Sequence, residues 1–105
     1  MSIQEGDQLY NNRKFDSAAK AYDRAISKYG DVDKYPNINF REIVEALQKK
    51  GDAYAAKAKT NQNNSKYNAL RAIHSYKMSI DLSRGCITHH YQTCVDGIEL
   101  MSNLI

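Results

Sequence analysis

The chain has 105 residues, 42% of them apolar, with one proline and five glycines, which suits a single domain with a modest core. Its formal charge of +3 is uneven, because residues 49–84 carry eight Lys/Arg against only Asp52 and Asp81. No apolar run reaches the ~18 residues a bilayer span needs, and no apolar leader opens the sequence. Two cysteines without export features then predict a cytoplasmic or nuclear protein that is not secreted.

Spacing predicts five helices and no strand. The first covers about 2–11, with Ile3, Leu9 and Tyr10 apolar, and ends in the polar turn Asn11-Asn12-Arg13. The second, about 14–29, puts Phe15, Ala18, Ala19, Tyr22, Ala25, Ile26 and Tyr29 on one face, with Gly30 as its stop. Residues 30–39, which include Pro36, read as a loop, and Asn39 with Glu42 forms a capping box for the third helix.

That third helix, about 40–59, has the stripe Phe40, Ile43, Val44, Leu47, Gly51, Tyr54 and Ala58. A polar linker over 60–65 leads to the fourth, about 66–83, with Leu70, Ile73, Tyr76 and Ile80 inward and Gly85 at its end. The fifth, about 88–104, places Tyr91, Cys94, Val95, Ile98, Met101 and Ile105 inward, and Gln92, Asp96, Glu99 and Asn103 outward. One wet face suits a helix that closes a stack against solvent.

Two stretches repeat one pattern. Gly6-Asp7 is followed by Phe15, Ala18, Tyr22, Ala25 and Ile26, and Gly51-Asp52 by Tyr54, Ala72, Tyr76, Ser79 and Ile80. Small residues let paired helices approach closely, and the aromatics fill the gaps between them. This pattern resembles the tetratricopeptide repeat, a helix–turn–helix unit. The resemblance covers about 1–29 and 44–82, and Gly97 hints at a third unit.

It departs from the family in several places. Gly6 and Gly51 are 45 residues apart, against a repeat of ~34. Ser79 replaces an alanine, Arg13 a turn glycine, and Glu5 and Lys50 a leucine. The resemblance implies an all-α, right-handed stack of antiparallel hairpins spanning 1–105. Repeat one would cover about 1–29, a loop 30–39, repeat two about 40–83, and a capping helix about 87–105.

The resemblance also implies a groove that binds a protein segment. Carried over by position, its lining is Ile3, Asp7, Tyr10 and Asn11 in the first unit and Glu45, Gln48, Asp52 and Ala55 in the second, with Tyr54 beside them. Chaperone-binding members hold a C-terminal carboxylate with a lysine and an asparagine. Ile3 and Asp7 stand there instead, so Asp7 and Asp52 would repel such a ligand. A basic or amphipathic segment fits better, and Asp52→Lys should then weaken a basic partner without unfolding the domain. The expected function is a non-catalytic adaptor or assembly module.

Other chemistry is weaker. Cys86, His90 and Cys94 recur at helical steps of four beside His89, but structural zinc wants four ligands, and Cys94 belongs to an apolar stripe. No glycine-rich phosphate loop or activated nucleophile is visible, so no metal, cofactor or catalytic residue is expected. The alternative to the groove is a basic patch of Lys49, Lys50, Lys57, Lys59 and Lys77 that meets nucleic acid or an acidic partner. Leu104 and Ile105 raise a further alternative, self-association or a place in a longer protein.

Overall fold

The computed structural model describes residues 3–29, 40–60, 64–83 and 88–105. Every regular element among them is helical. They are α1 (Ile3–Asn11), α2 (Phe15–Tyr29), α3 (Phe40–Thr60), α4 (Ser65–Ser83) and α5 (Thr88–Ser102). These bounds lie within two residues of those the spacing predicts. The Gly30 and Gly85 stops, the 30–39 loop with its Asn39 cap, residues 61–63 of the 60–65 linker and Cys86 fall outside the described residues. The same holds for the side chains of Tyr29, Phe40, His89, His90 and Tyr91.

Each helix runs back along the one before it. Arg24 of α2 meets Glu5 near the start of α1, while Phe15 meets Tyr10 near its end, ring edge to face at 5.3 Å. Asp23 and Asp16 of α2 meet Lys50 and Lys57 of α3, again in reverse order. Tyr76 and Ser79 of α4 lie against Gly51 and Val44 of α3. Thus α2 packs between α1 and α3, and α4 between α3 and α5.

Alanine makes this packing close. Ala18, Ala19 and Ala25 of α2, Ala53 and Ala58 of α3, and Ala69 and Ala72 of α4 are all buried. Between backbones brought that near, Tyr22 and Tyr76 supply most of the ring volume of the core. Ser79 stands where the resemblance expects an alanine. Its buried hydroxyl donates to the Val44 carbonyl at 2.9 Å, using the spare lone pair of a helical acceptor. Glu5 and Lys50, where the resemblance expects leucine, each form an ion pair to α2, at 3.0 Å to Arg24 and 2.6 Å to Asp23.

The first turn closes as a Schellman motif. Lys14 N–H donates to the Leu9 carbonyl and Arg13 N–H to that of Tyr10, both at 2.9 Å. Arg13 takes the left-handed position with φ of 62°, where a glycine would cost less.

Two predicted inward residues are not inward. Leu70 is 54% exposed, because α4 turns its Ala69-Ala72-Tyr76-Ser79 face into the gap between α3 and α5, and Leu70 lies on the opposite side. Ile105 is 51% exposed, because α5 ends at Ser102 and the chain leaves the helical register. Tyr29 and Phe40 aside, the stripes of α2 and α3 lie inward as spaced, as do Cys94 and Met101 of α5.

Candidate docking cleft

Glycine and aspartate adjoin at Gly6-Asp7 and at Gly51-Asp52, and each pair holds one tyrosine from the following helix. A Cβ on Gly6 would overlap the Tyr22 ring, and one on Gly51 would stand 2.7 Å from Tyr76 Cε1. Bare Cα atoms therefore let both rings lie flat against a helix backbone. The two hydroxyls then reach the neighbouring carboxylates. Tyr22 donates to Asp7 Oδ1 and Tyr76 to Asp52 Oδ1, each at 2.6 Å.

Gly97 of α5, the residue that hinted at a third unit, meets the same Tyr76 ring. Its Cβ would fall 2.6 Å from Tyr76 Cε2, so the ring already seated on Gly51 is gripped from its other edge. Gly97 thus packs α5 against the tyrosine of α4 that Gly51 also holds. This grip sets α5 beside α3, and the two helices are in direct contact.

The two carboxylates differ in their surroundings. Asp7 is partly exposed, and Lys49 of α3 donates to both of its oxygens, at 2.9 and 2.8 Å, while also meeting Glu45 at 3.3 Å. Burial works to lower the Lys49 pKa, but the Asp7 hydrogen bond and charge, with Glu45, outweigh it and raise the value. Asp52 is far more enclosed. Desolvation raises its pKa, against the pull of hydrogen bonds from Tyr76 and Gln48 and the charges of Lys49 and Lys59. Burial raises the pKa of Tyr10, helped by the negative charge of Asp52.

The grip on Tyr76 leaves an open cleft of about 620 Å³ along one side of the molecule. Its floor is the α3 face of Asp52, Ala55, Ala56 and Lys59, which recur at helical steps. One wall is Tyr10, Asn11, Arg13 and Phe15, and the other is Thr93, Asp96, Gly97, Leu100 and Met101 of α5. Leu100, 56% exposed, stands in this cleft as an apolar side chain open to solvent. The chemistry offered is an apolar trough with two carboxylates and two cations along it.

Four predicted groove residues, Tyr10, Asn11, Asp52 and Ala55, do line the cleft. The others lie elsewhere. Ile3 is half-buried against the core. Asp7 and Glu45 are paired with Lys49, which removes Asp7 as a free attraction for a basic ligand. Gln48 bonds Asp52. Tyr54 is on another side of α3, in a smaller hollow with Lys50, Tyr67, Leu70 and Arg71, because it follows Asp52 by two residues and a helix turns it away. Asp52→Lys would also remove the carboxylate that accepts from Tyr76.

Within the basic patch, Lys49, Lys50 and Lys57 are each paired to carboxylates of the first unit, Asp7, Asp23 and Asp16. Lys59 lines the cleft, and Lys77 is exposed on α4. The α5 wall is what the sequence reading omitted. Gly97 was its one signal, a glycine in a helix that also carries the stripe of Cys94 and Met101.

Cys94 is buried and hydrogen-bonded with Ser79, while burial raises its thiol pKa. No group of three or more His, Cys, Asp or Glu among the described residues could hold a metal ion. No helix among them is long and apolar enough to cross a membrane. Comparison with protein-family models, with curated proteins and with solved structures finds no match to this chain.

Proposed function

We propose that this protein is a non-catalytic adaptor of tetratricopeptide type, which docks a segment of a partner protein in the cleft between α1, α3 and α5. The observation that carries the reading is the seating of Tyr76 between Gly51 and Gly97. That seating holds α3 and α5 side by side with Ala56 and Leu100 facing open space. A trough lined by small and apolar side chains, with charges at its rim, suits the apolar face of an amphipathic helix or strand.

The partner's apolar anchor ranks ahead of its charge. Asp7 is already neutralised by Lys49, and Asp52 and Asp96 are balanced along the cleft by Lys59 and Arg13. A basic side chain beside the anchor finds Asp96, the exposed carboxylate of that set. The alternative, phosphate binding by the lysines of α3, gains nothing from an apolar trough, and three of those lysines are already paired.

The test is a displayed peptide library panned on the domain, with the captured peptides titrated into isotope-labelled protein. Docking in the cleft predicts amide shifts centred on Tyr10, Ala56 and Leu100, and an affinity that changes little with salt. Shifts spread over lysines, with affinity falling steeply between ~50 and ~200 mM salt, would favour the phosphate reading.

A further inference from the structure

On the outer face of α4 lies a second surface that the cleft does not use. Tyr67, Leu70, Met78 and Leu82 are 59%, 54%, 40% and 40% exposed, and their spacing sets them along one side of the helix. Four large apolar side chains on a single exposed stripe are more than the scattered singles of an ordinary surface. Beside Leu70 the stripe opens into a hollow of about 310 Å³ between α3 and α4, with Tyr54 and Ser75 in its lining. Arg71 lies across its edge, 4.5 Å from the Tyr54 ring centre and 5.2 Å from that of Tyr67. Two rings hold that guanidinium in place before anything binds.

Charge says what belongs there. Lys66, Arg71 and Lys77 are exposed on this side of α4, and Asp81 is the one carboxylate of the described α4 residues. Lys50, at the edge of the hollow, is already paired with Asp23. We infer that the outer face of α4 is a second docking surface, for an acidic amphipathic helix whose large apolar side chain enters the hollow beside Leu70. Its carboxylates meet Lys66, Arg71 and Lys77, with Arg71 positioned for a two-pronged bond. A second copy of this chain fits poorly, because a symmetric contact would set the same three cations against themselves. Nucleic acid would leave Leu70, Met78 and Leu82 without a use.

The experiment pans a randomised helical-peptide library on the whole chain and on its Leu70→Glu and Arg71→Glu variants. Both positions are exposed, so circular dichroism should show an unchanged fold. Peptides bound by the wild type and lost on both variants should be net acidic, with a large apolar residue at helical spacing. Their affinity should fall at least about tenfold on each variant, and should survive Ala56→Arg in the main cleft. The inference is overturned if the peptides lost on the two variants are neutral or basic, or if no captured peptide depends on Leu70. It is equally overturned if duplex DNA binds and Arg71→Glu abolishes that binding while Leu70→Glu does not. A wild-type dimer in light scattering that Leu70→Glu dissolves would also replace it.

Discussion

The hydroxyl of Tyr76 donates to Asp52 at 2.6 Å, repeating in the second hairpin the bond that Tyr22 makes to Asp7 in the first. The two bonds are alike in length but not in weight. Asp7 keeps Lys49 as a second partner and some access to water, whereas Asp52 sits under the cleft with Gln48 as its other close donor. Hydrogen bonds to charged groups contribute about 1.5–3 kcal/mol. Tyr76→Phe should therefore cost about 2–3 kcal/mol and Tyr22→Phe about 1 kcal/mol less, measured as urea unfolding midpoints. Equal losses would mean that burial of the carboxylate does not set the scale.

Gly97 gives a sign opposite to helix propensity. Glycine to alanine in a helix interior normally stabilises by about 1 kcal/mol. Here the added methyl would stand 2.6 Å from a Tyr76 ring that Gly51 pins on its other edge and Asp52 holds by its hydroxyl. Overpacking of this kind costs about 1–3 kcal/mol, so Gly97→Ala should destabilise. Thermal unfolding reads this directly, and a raised midpoint would show that the ring has room to move.

Alkaline pH should unfold the protein early. Tyr10, Tyr22 and Tyr76 all have pKa values raised above 10.0, and that of Lys49 is raised above 10.5. The unfolded chain releases these protons first, so the folded state holds more of them, and stability falls as pH climbs past about 10. Melting temperatures from pH ~8 to ~11 should drop steeply, and less so in Tyr76→Phe once its own lower starting stability is subtracted.

Asp52 gives a separate signature in acid. Its pKa is raised from 3.8, so the folded chain binds the proton more tightly, and stability declines as pH rises from about 4 through the folded value. Asp52→Asn removes that titration and keeps an oxygen for Tyr76. Its stability relative to the wild type should improve across that window and level off above it. Denaturant titrations at several pH values check this. A flat difference would place Asp52 in contact with solvent.

Helix number, bounds and most of the inward stripes were legible in the sequence because alanine and tyrosine recur at helical spacing. Leu70 was misplaced because α4 buries the face of Ala69, Ala72, Tyr76 and Ser79, and Leu70 lies on the opposite side despite its size. Tyr54 was drawn into the groove by its nearness to Asp52 in sequence, although two residues carry a helix more than halfway round. The ion pairs of Lys49, Lys50 and Lys57 could not be read, since each joins residues far apart in sequence that only the packing of α1 and α2 against α3 brings together. The α5 wall was half legible, in Gly97, whose partner proved to be Tyr76 of α4.

Arg13 offers a local check on the first turn. Its left-handed backbone costs an L-residue about 1 kcal/mol that glycine avoids. Part of that gain is offset by the freer unfolded chain. Arg13→Gly should therefore raise stability by about 0.5 kcal/mol in chemical denaturation, leaving the Schellman bonds of Lys14 and residue 13 intact. A loss would show that the Arg13 side chain, at the cleft wall, contributes more than its backbone costs.

Docking between α1, α3 and α5 is tested most directly by comparing peptide affinity for the wild type and Ala56→Arg. Ala56 lies on the cleft floor, partly exposed, so an arginine there fills the trough without entering the core. Calorimetric titration of the library peptides whose shifts map to the cleft should show at least about a tenfold weaker affinity for the variant, with an unchanged melting temperature. Equal affinity for both proteins would place the docking surface somewhere other than this cleft.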